Sequence, residues 1–174
     1  DTVSLDWSNS SDSGSGMDYY QVQVDNGSSF SSPEFDATPS SSNDTTSSLP
    51  DGYYYWRVRA RDNAGNWSSW SSSRTFRVDR TDPTVPSLAS PSNGSSTGDQ
   101  TPRFDWNNSS DSGSGVDHYE IDIYDGDITW GDINTTVTIS EYTPGTNIPY
   151  DTIYWRVRAY DNAGNVSAWS SVWT

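Results

Sequence analysis

The sequence predicts an all-β protein made of two tandem β-sandwiches. The first observation is an internal repeat, since a shift of 99 residues places Asp6-Trp7 on Asp105-Trp106 without a gap. The second is that short segments alternate apolar with polar residues, as half-buried strands do. The third is that clusters of Ser, Gly, Asn and Asp, which favour turns, separate these segments. Short strands spaced by turns within a repeat of this length indicate a sandwich.

The repeat extends to the loops. Residues 9–16 recur unchanged at 108–115, and residues 62–66 recur unchanged at 161–165. Unrelated domains would not keep equal loop lengths between their strands. The two halves of the chain are therefore copies of one module.

Alternating residues predict where the strands lie and which way they face. In residues 56–60, we expect Trp56, Val58 and Ala60 to point inward and the two arginines between them to point outward. The same alternation marks residues 3–7, 20–24 and 119–123. No segment shows the sustained period of 3.6 residues that a helix needs.

One segment resembles a known family. The sequence YYYWRVRARDNAGN runs from Tyr53 to Asn66 and is followed by Ser68 and Trp70. It resembles the F strand and F–G loop of fibronectin type III-like and bacterial Ig-like modules, which are common in tandem in prokaryotic cell-surface proteins. Leu49-Pro50 fits the E–F corner of such a module. The resemblance implies two tandem Ig/FN3-like β-sandwiches, in which Tyr54 is the corner tyrosine.

We expect one module at residues 1–79 and a second at 80–174, with a linker at 79–86 stiffened by two prolines. The counterpart of Tyr54 in the second module is Ile153, so its corner is expected to be built differently.

The two modules are expected to be incomplete at opposite ends. The first residue aligns with Gln100, so the first module lacks an opening strand that the second has near residues 85–90. Residues 76–78 have no counterpart in the second module, which therefore lacks part of its closing strand. Two explanations stay open. The chain is a fragment of a longer array, or neighbouring copies supply the missing strands to open sheet edges.

Charge and composition restrict the partners. The net charge is -15, with nine basic residues, all Arg, against 24 acidic ones. Such a surface repels phosphate backbones and attracts cations, so no nucleic-acid partner is expected. The chain has no Cys, which excludes disulfides and thiolate metal sites. No apolar segment long enough for membrane insertion is present.

Acidic loops suggest a calcium site. In an Ig-type sandwich the B–C and F–G loops lie at one end, where their carboxylate and amide oxygens would converge as hard ligands for Ca²⁺. The alternative is that these side chains only cap backbone N–H groups in the turns. The candidate ligands are Asp12, Asp18, Asp62, Asn63, Asp79, Asp82, Asp111, Asp117, Asp161 and Asn162.

Glycosylation motifs are frequent. Nine of the twelve Asn residues lie in an Asn-x-Ser/Thr acceptor, which favours an extracellular, cell-surface or secreted glycoprotein. Duplication of the module accounts for part of this excess. The acceptors are Asn9, Asn26, Asn43, Asn66, Asn93, Asn107, Asn108, Asn134 and Asn165.

No catalytic constellation is predicted. His118 is the only His and is expected on the outward face of a strand, so it suits neither a catalytic triad nor a zinc site. We therefore expect a non-catalytic structural or adhesion repeat of a larger cell-surface protein, such as a stalk, surface-layer or filament subunit. Its expected partners are adjacent repeats or other copies of itself.

The aromatic residues leave a second function open. Trp7, Trp56 and Trp70, with their repeated counterparts, are expected in or beside the core. Trp67, Trp130 and Trp173 are not repeated and could stack on sugars. The alternative is therefore a carbohydrate-binding or spacer module of a secreted enzyme.

Overall fold

The structure is a computed structural model that describes residues 2–126 and 131–174. Its contacts divide the chain into two compact units, Asp1–Asp79 and Arg80–Thr174. The described residues form strands, turns and bends, and none of them lies in a helix. The prediction of an all-β fold is confirmed.

The first unit contains two antiparallel sheets. A larger sheet has the strand order β3-β2-β5-β6, and β1 pairs with β4 in a smaller one. Its strands within residues 2–79 are β1 (Ser4–Asp6), β2 (Met17–Asp25), β3 (Phe35–Ala37), β4 (Asn43–Thr45), β5 (Gly52–Asp62) and β6 (Arg74–Val78).

The second unit also contains two antiparallel sheets. One has the order β10-β9-β12 and the other the order β11-β8-β7. Its strands among the described residues are β7 (Ser87–Ser90), β8 (Phe104–Asn107), β9 (Val116–Tyr124), β10 (Ile133–Val137), β11 (Glu141–Tyr142) and β12 (Tyr154–Asp161).

Each core lies between the two sheets of its unit. In the first unit, Leu5 from the small sheet packs with Val22 and Val24 from the large one. In the second unit, Phe104 and Trp106 of β8 pack with side chains of β9 and β12. The side chains of β9 alternate strictly along Tyr119, Ile121 and Ile123, which are all at least 96% buried. The predicted inward residues are therefore the ones that hold each sandwich together.

The sequence repeat is preserved in the hydrogen-bonding register. Val22 faces Val58 in the first unit, and the aligned residues Ile121 and Val157 face each other in the second. Both ladders are irregular at the same place, next to the aligned pairs Met17–Asp62 and Val116–Asp161. A gap-free sequence repeat thus fixes the same central strand pair twice.

The units differ at their edges, as the sequence predicts. In the second unit β8 pairs with both β7 and β11, whereas in the first β1 pairs with β4 among the described residues. In the first unit β6 pairs with β5 from Arg74 to Val78. On the matching side of β12, the described residues form two isolated bridges, Trp155 with Trp173 and Tyr160 with Val166.

The E–F corner is built in two ways. In the first unit the Tyr54 hydroxyl donates to the Pro50 carbonyl oxygen at 3.1 Å, which confirms its role as corner tyrosine. In the second unit Ile153 cannot make this bond. There Gln100 holds the segment instead, because its side-chain amide donates to the Ile148 carbonyl oxygen at 2.9 Å and its backbone carbonyl oxygen accepts from the Ile148 N–H at 2.8 Å.

We expect Ile121→Ala to lower the free energy of unfolding of the second unit by about 2–5 kcal/mol, because it leaves a cavity in the closed core. Ile139, which is 59% exposed, is the matched control. Ile139→Ala should change the free energy of unfolding by less than about 0.5 kcal/mol. Urea unfolding of the whole chain measures both. Equal effects of the two substitutions would contradict this account of the core.

Candidate functional site

The B–C and F–G loops of the first unit meet at one end of its sandwich. The Asn63 side-chain amide donates to the carbonyl oxygens of Ser15 and Met17, at 2.9 and 3.2 Å. Asp12 folds the B–C loop, since its Oδ2 accepts the N–H groups of Gly14, Ser15 and Gly16 at 3.0, 2.7 and 3.0 Å. The carboxylate therefore serves as a turn cap.

Asp62 closes the F–G loop of the first unit. Its two oxygens accept the backbone N–H and the side-chain amide of Asn66, at 2.7 and 2.8 Å. These bonds from Asn66 favour the ionised carboxylate and hold the pKa of Asp62 below its ordinary value.

The second unit repeats this loop pair in a more buried form. The Asn162 amide donates to the carbonyl oxygens of Ser114 and Gly115, at 3.1 and 2.9 Å. Asp161 is only 3% exposed and accepts the N–H groups of Ala163 and Asn165, at 2.9 and 2.8 Å. Its first-unit counterpart Asp62 is half-buried.

Asp111 differs from its first-unit counterpart Asp12. Its Oδ2 accepts the Gly115 N–H at 2.8 Å, while its Oδ1 is buried and has no hydrogen-bond partner among the described residues. One carboxylate oxygen of Asp111 lies within 4.8 Å of one of Asp161. Two carboxylates this close repel each other unless a proton or a cation lies nearby.

Two of the other candidate ligands have charged or ring partners of their own. Asp18 forms an ion pair with Arg61 at 3.1 Å, and Asp117 lies 2.8 Å from the Nδ1 atom of His118. Asp79 is buried after the end of β6, and Asp82 is exposed. The two carboxylates brought together within one unit are therefore Asp111 and Asp161.

A stack of arginine and aromatic side chains covers the outer face of the large sheet in the first unit. The Trp70 ring lies between the guanidinium groups of Arg57 and Arg59, at 4.2 and 4.5 Å from its centroid. Arg57 also lies over the Phe30 ring, at 4.0 Å from its centroid, and Arg59 lies over the Trp67 ring at 4.1 Å. Such cation–π contacts contribute about 0.5–2 kcal/mol each, depending on burial.

Phe30 takes a strained backbone to join this stack. Its φ of 53° lies in the left-handed region, which costs a non-glycine residue about 1–2 kcal/mol. The residue is nevertheless 91% buried, and its ring lies against the Arg57 guanidinium group. The packing of the ring therefore outweighs the backbone strain.

The edges of the two guanidinium groups are also hydrogen-bonded. Arg57 donates to the Gln23 side-chain oxygen at 2.8 and 3.1 Å, and Arg59 donates to that of Gln21 at 2.7 and 3.0 Å. Both glutamines in turn donate to Asp36. Burial and the neighbouring charge of Arg59 lower the pKa of Arg57, but a guanidinium stays charged in proteins.

The second unit builds the same stack with acids in place of the glutamines. Trp169 lies between Arg156 and Arg158, at 4.3 and 4.5 Å. Arg156 pairs with Asp122 at 2.9 Å, and Arg158 pairs with Glu120 at 2.6 Å. In the second unit the arginines thus bind carboxylates directly, whereas in the first unit glutamine side chains lie between the arginines and Asp36.

The Glu120 carboxylate accepts hydrogen bonds from several side chains. Burial opposes its ionisation, but hydrogen bonds from Asn134, Arg158 and Tyr160 together hold its pKa below the ordinary value. Burial and the bond to Glu120 raise the pKa of Tyr160, whose hydroxyl donates at 2.8 Å. Tyr160 also stacks on His118 with ring centroids 4.5 Å apart, which places the single His on the outer face as predicted.

Serines hold the tryptophans on this face. Ser68 and Ser71 exchange backbone and hydroxyl bonds with Ala60 and Val58 along the edge of β5. Ser167 and Ser170 do the same along β12. The spacing of three residues between the serines places Trp70 and Trp169 over the arginines.

The prediction that every repeated tryptophan lies in or beside the core is therefore wrong for Trp70 and Trp169, which pack on the outer face. It is right for Trp56, Trp106 and Trp155, which are at least 91% buried. The Ser-x-x-Ser spacing after a strand with alternating arginines was the signal that could have identified the outer stack.

The unrepeated tryptophans also have partners. Trp67 is 38% exposed and contacts Arg59 and Tyr19, while Trp173 packs edge-on against Trp155 at 6.1 Å. Trp130 lies outside the described residues. Both described rings thus contact other aromatic or arginine side chains of their own unit.

The glycosylation acceptors fall into two groups. The side-chain amides of Asn66, Asn107, Asn134 and Asn165 donate hydrogen bonds within their own unit. The acceptors Asn9, Asn26, Asn43, Asn93 and Asn108 are exposed. Attachment of a sugar needs a free amide nitrogen, so this second group suits modification better.

The described part of the chain contains no helix of the length and apolarity needed to cross a bilayer.

Comparisons with known proteins agree on the fold. Residues 86–174, slightly more than half of the chain, match the family model described as Rha78A-like, N-terminal immunoglobulin domain. No curated protein matches the sequence.

Two solved structures resemble the chain. The fibronectin(III)-like modules of Clostridium thermocellum CbhA are 17% identical with a TM-score of 0.58, over 97% of this chain and 82% of that one. The FN1–FN3 domains of chicken CNTN1 are 17% identical with a TM-score of 0.51, over 88% of this chain and 54% of that one. At this identity the likeness establishes the fold, which is that of tandem Ig/FN3-like modules.

We expect acid to weaken the second unit through Glu120. Because its pKa is lower in the folded state, Glu120 stabilises that state above its unfolded pKa of about 4.3, and this contribution is lost as the pH falls through the folded value. Glu120→Gln should therefore lower the free energy of unfolding at pH 7. The difference in this free energy between the variant and the parent chain should become smaller as the pH falls.

Urea unfolding from pH 7 down through the folded pKa of Glu120 measures this difference in free energy. The control is Glu141→Gln, which removes an exposed partner of Arg103 and should change stability by less than about 1 kcal/mol. If the difference in free energy of unfolding between Glu120→Gln and the parent chain stays constant with pH, a lowered pKa of Glu120 in the folded state is contradicted.

Proposed function

The chain belongs to the family of Rha78A-like, N-terminal immunoglobulin domains, and from this premise we propose that its two units are non-catalytic structural modules of a larger extracellular protein. Modules with Ig-like and fibronectin type III-like folds typically serve as non-catalytic building blocks. Within that role, the chain would act as a stalk or spacer, or as a repeat of an adhesin, surface layer or filament.

The observation that carries this proposal is the arginine–aromatic stack on the outer face of both units. Around Trp70 and Trp169 each guanidinium group lies over a ring and is hydrogen-bonded at its edge. Groups that are satisfied within their own unit are poor ligand contacts but effective braces across strands. A brace present in both copies favours a mechanical role.

The exposed glycosylation acceptors support an extracellular location, since sugars at these positions would shield the surface from proteolysis. The acidic surface supports it as well, because a high net charge keeps repeated modules soluble.

Pulling the whole chain by its ends tests the mechanical role. We expect two separate unfolding events with contour gains of up to about 270 Å and about 320 Å, the extended lengths of the two units. Trp169→Ala should lower the force of the longer event, because it removes the brace over β12.

The first unit is the internal control in the same trace, since its own stack around Trp70 is unchanged. An unchanged force for the longer event, or a single undivided event, would argue against braced independent modules.

Carbohydrate binding remains the second candidate function. The observation that favours it is Tyr150, which is 76% exposed and lines a groove together with Asp99 and Gln100. A ring flanked by polar groups is a common sugar platform. Binding of an oligosaccharide by the chain, with loss of binding in Tyr150→Ala, would favour this function over a purely mechanical one.

Calcium binding remains a proposal for the second unit. Its support is the buried, unpartnered Oδ1 of Asp111 close to the buried carboxylate of Asp161. A cation there would neutralise the repulsion and supply the missing contact, and extracellular modules bind Ca²⁺ at about 0.1–1 mM.

We expect about 10 mM Ca²⁺ to raise the melting temperature of the second unit by several degrees, because it binds the folded state alone. Asp111→Asn should abolish this rise. The matched control Asp12→Asn, in the identical loop of the first unit, should leave it intact. The absence of any shift in the parent chain would refute the site.

A further inference from the structure

One peptide bond near the start of the second unit joins an aspartate to a proline. Asp82 and Pro83 form the single Asp-Pro sequence in the chain. They lie between Val78, where β6 ends, and Ser87, where β7 begins. Residues 79–86 belong to no strand, so the backbone around this bond is not held in a ladder. The bond can therefore change its geometry without the loss of sheet hydrogen bonds.

The Asp82 side chain has no contact that would hold it away from the backbone. It is exposed, and no hydrogen bond or ion pair of its carboxylate is found within residues 2–126 and 131–174. By contrast, the Asp12 carboxylate accepts three backbone N–H groups within its loop. Rotation about the side-chain bonds of Asp82 is therefore free to bring a carboxylate oxygen to the main-chain carbonyl carbon of the same residue.

The chain is anchored on both sides of this bond. Before it, Val78 pairs with Gly52 in the ladder between β6 and β5. After it, Pro83 is buried, and the Thr84 N–H donates to the Ser110 carbonyl oxygen at 2.9 Å. The Thr84 hydroxyl also accepts the Ser110 N–H at 2.8 Å. Cleavage of the bond would leave strands β1–β6 in one fragment and β7–β12 in the other.

The chemistry of an Asp-Pro bond favours its hydrolysis in acid. The nitrogen of Pro83 belongs to a tertiary amide, and its two alkyl substituents make it easier to protonate and to expel than an ordinary peptide nitrogen. A carboxylate on the residue that carries the carbonyl group acts at an effective concentration far above that of a carboxylate in solution. For aspartate the attack closes a five-membered ring.

We propose that the Asp82–Pro83 bond is a self-cleavage site, at which acid divides the chain into residues 1–82 and 83–174. A carboxylate oxygen of Asp82 attacks its own main-chain carbonyl carbon, and the bond from this carbon to the Pro83 nitrogen breaks. The nitrogen keeps the electron pair of the broken bond and takes two protons from solution, which leaves Asp82 as a cyclic anhydride. One water molecule then opens the anhydride to two carboxyl groups, so the net reaction is hydrolysis of the peptide bond.

The test incubates the whole chain at the lowest pH at which its tryptophan fluorescence still reports the folded state, within about pH 3–4, where ordinary carboxyl groups titrate. Mass spectrometry under denaturing conditions follows the products. We expect residues 1–82 and 83–174 to appear with first-order kinetics. The rate should not depend on protein concentration, because the reaction is intramolecular. At neutral pH the chain should stay whole, because protons for the leaving nitrogen are scarce.

Two variants at the exposed position isolate the attack. Asp82→Asn removes the carboxylate, and Asp82→Glu keeps the charge but requires a six-membered ring. Each should lower the rate of cleavage at least about tenfold, because neither places a carboxylate for closure of the five-membered ring. The parent chain unfolded in urea at the same pH measures the contribution of the fold. We expect the folded chain to be cleaved within a few-fold of the unfolded rate, because the Asp82 side chain is already free.

The proposal is overturned if either variant is cleaved at the parent rate, if the main cut falls at another bond, or if neither the folded nor the unfolded chain is cleaved. It is also overturned if the folded chain stays whole while the unfolded chain is cleaved, since the second unit would then shield the bond.

Discussion

The antiparallel pairing of the two longest strands in each unit, β2 with β5 and β9 with β12, is the constraint on which the other features depend. Because side chains alternate along a strand, one register fixes both faces at once. On the inner face it aligns Val22 with Val58 and Ile121 with Val157. On the outer face it aligns the arginines of β5 and β12 with polar or acidic partners on the neighbouring strand. A shift by one residue would bury the arginines and expose the core.

The outer face shows how one register supports two chemical solutions. Gln21 and Gln23 in the first unit occupy the positions of Glu120 and Asp122 in the second. The glutamine side chains accept hydrogen bonds from the arginines through their oxygens and donate to Asp36 through their nitrogens, whereas the acids form ion pairs with the arginines. The ring of a tryptophan fills the space between the guanidinium groups in both cases. The stack therefore depends on the arginines and the ring more than on the partner across the strand.

The loops show the opposite behaviour, because identical sequences meet different surroundings. The eight residues at 9–16 and 108–115 are the same, yet Asp12 is exposed and Asp111 is half-buried. In the second unit Thr84 and Ser110 exchange hydrogen bonds at 2.8 and 2.9 Å, so a segment before β7 lies along the B–C loop. Coverage of the loop by this segment accompanies the partial burial of Asp111, which makes this carboxylate a candidate cation ligand.

The sequence by itself determined the fold class, the two copies, the inward residues of the central strands and the meeting of the two loops, because these follow from periodicity, from a gap-free repeat and from the loop arrangement of an Ig-type sandwich. It also indicated the corner role of Tyr54. The outward position of Trp70 and Trp169 and the burial of the Asp111 Oδ1 atom were decided by the tertiary structure alone. Each depends on which distant segment lies against the strand, and a local pattern of apolar and polar residues carries no record of that contact.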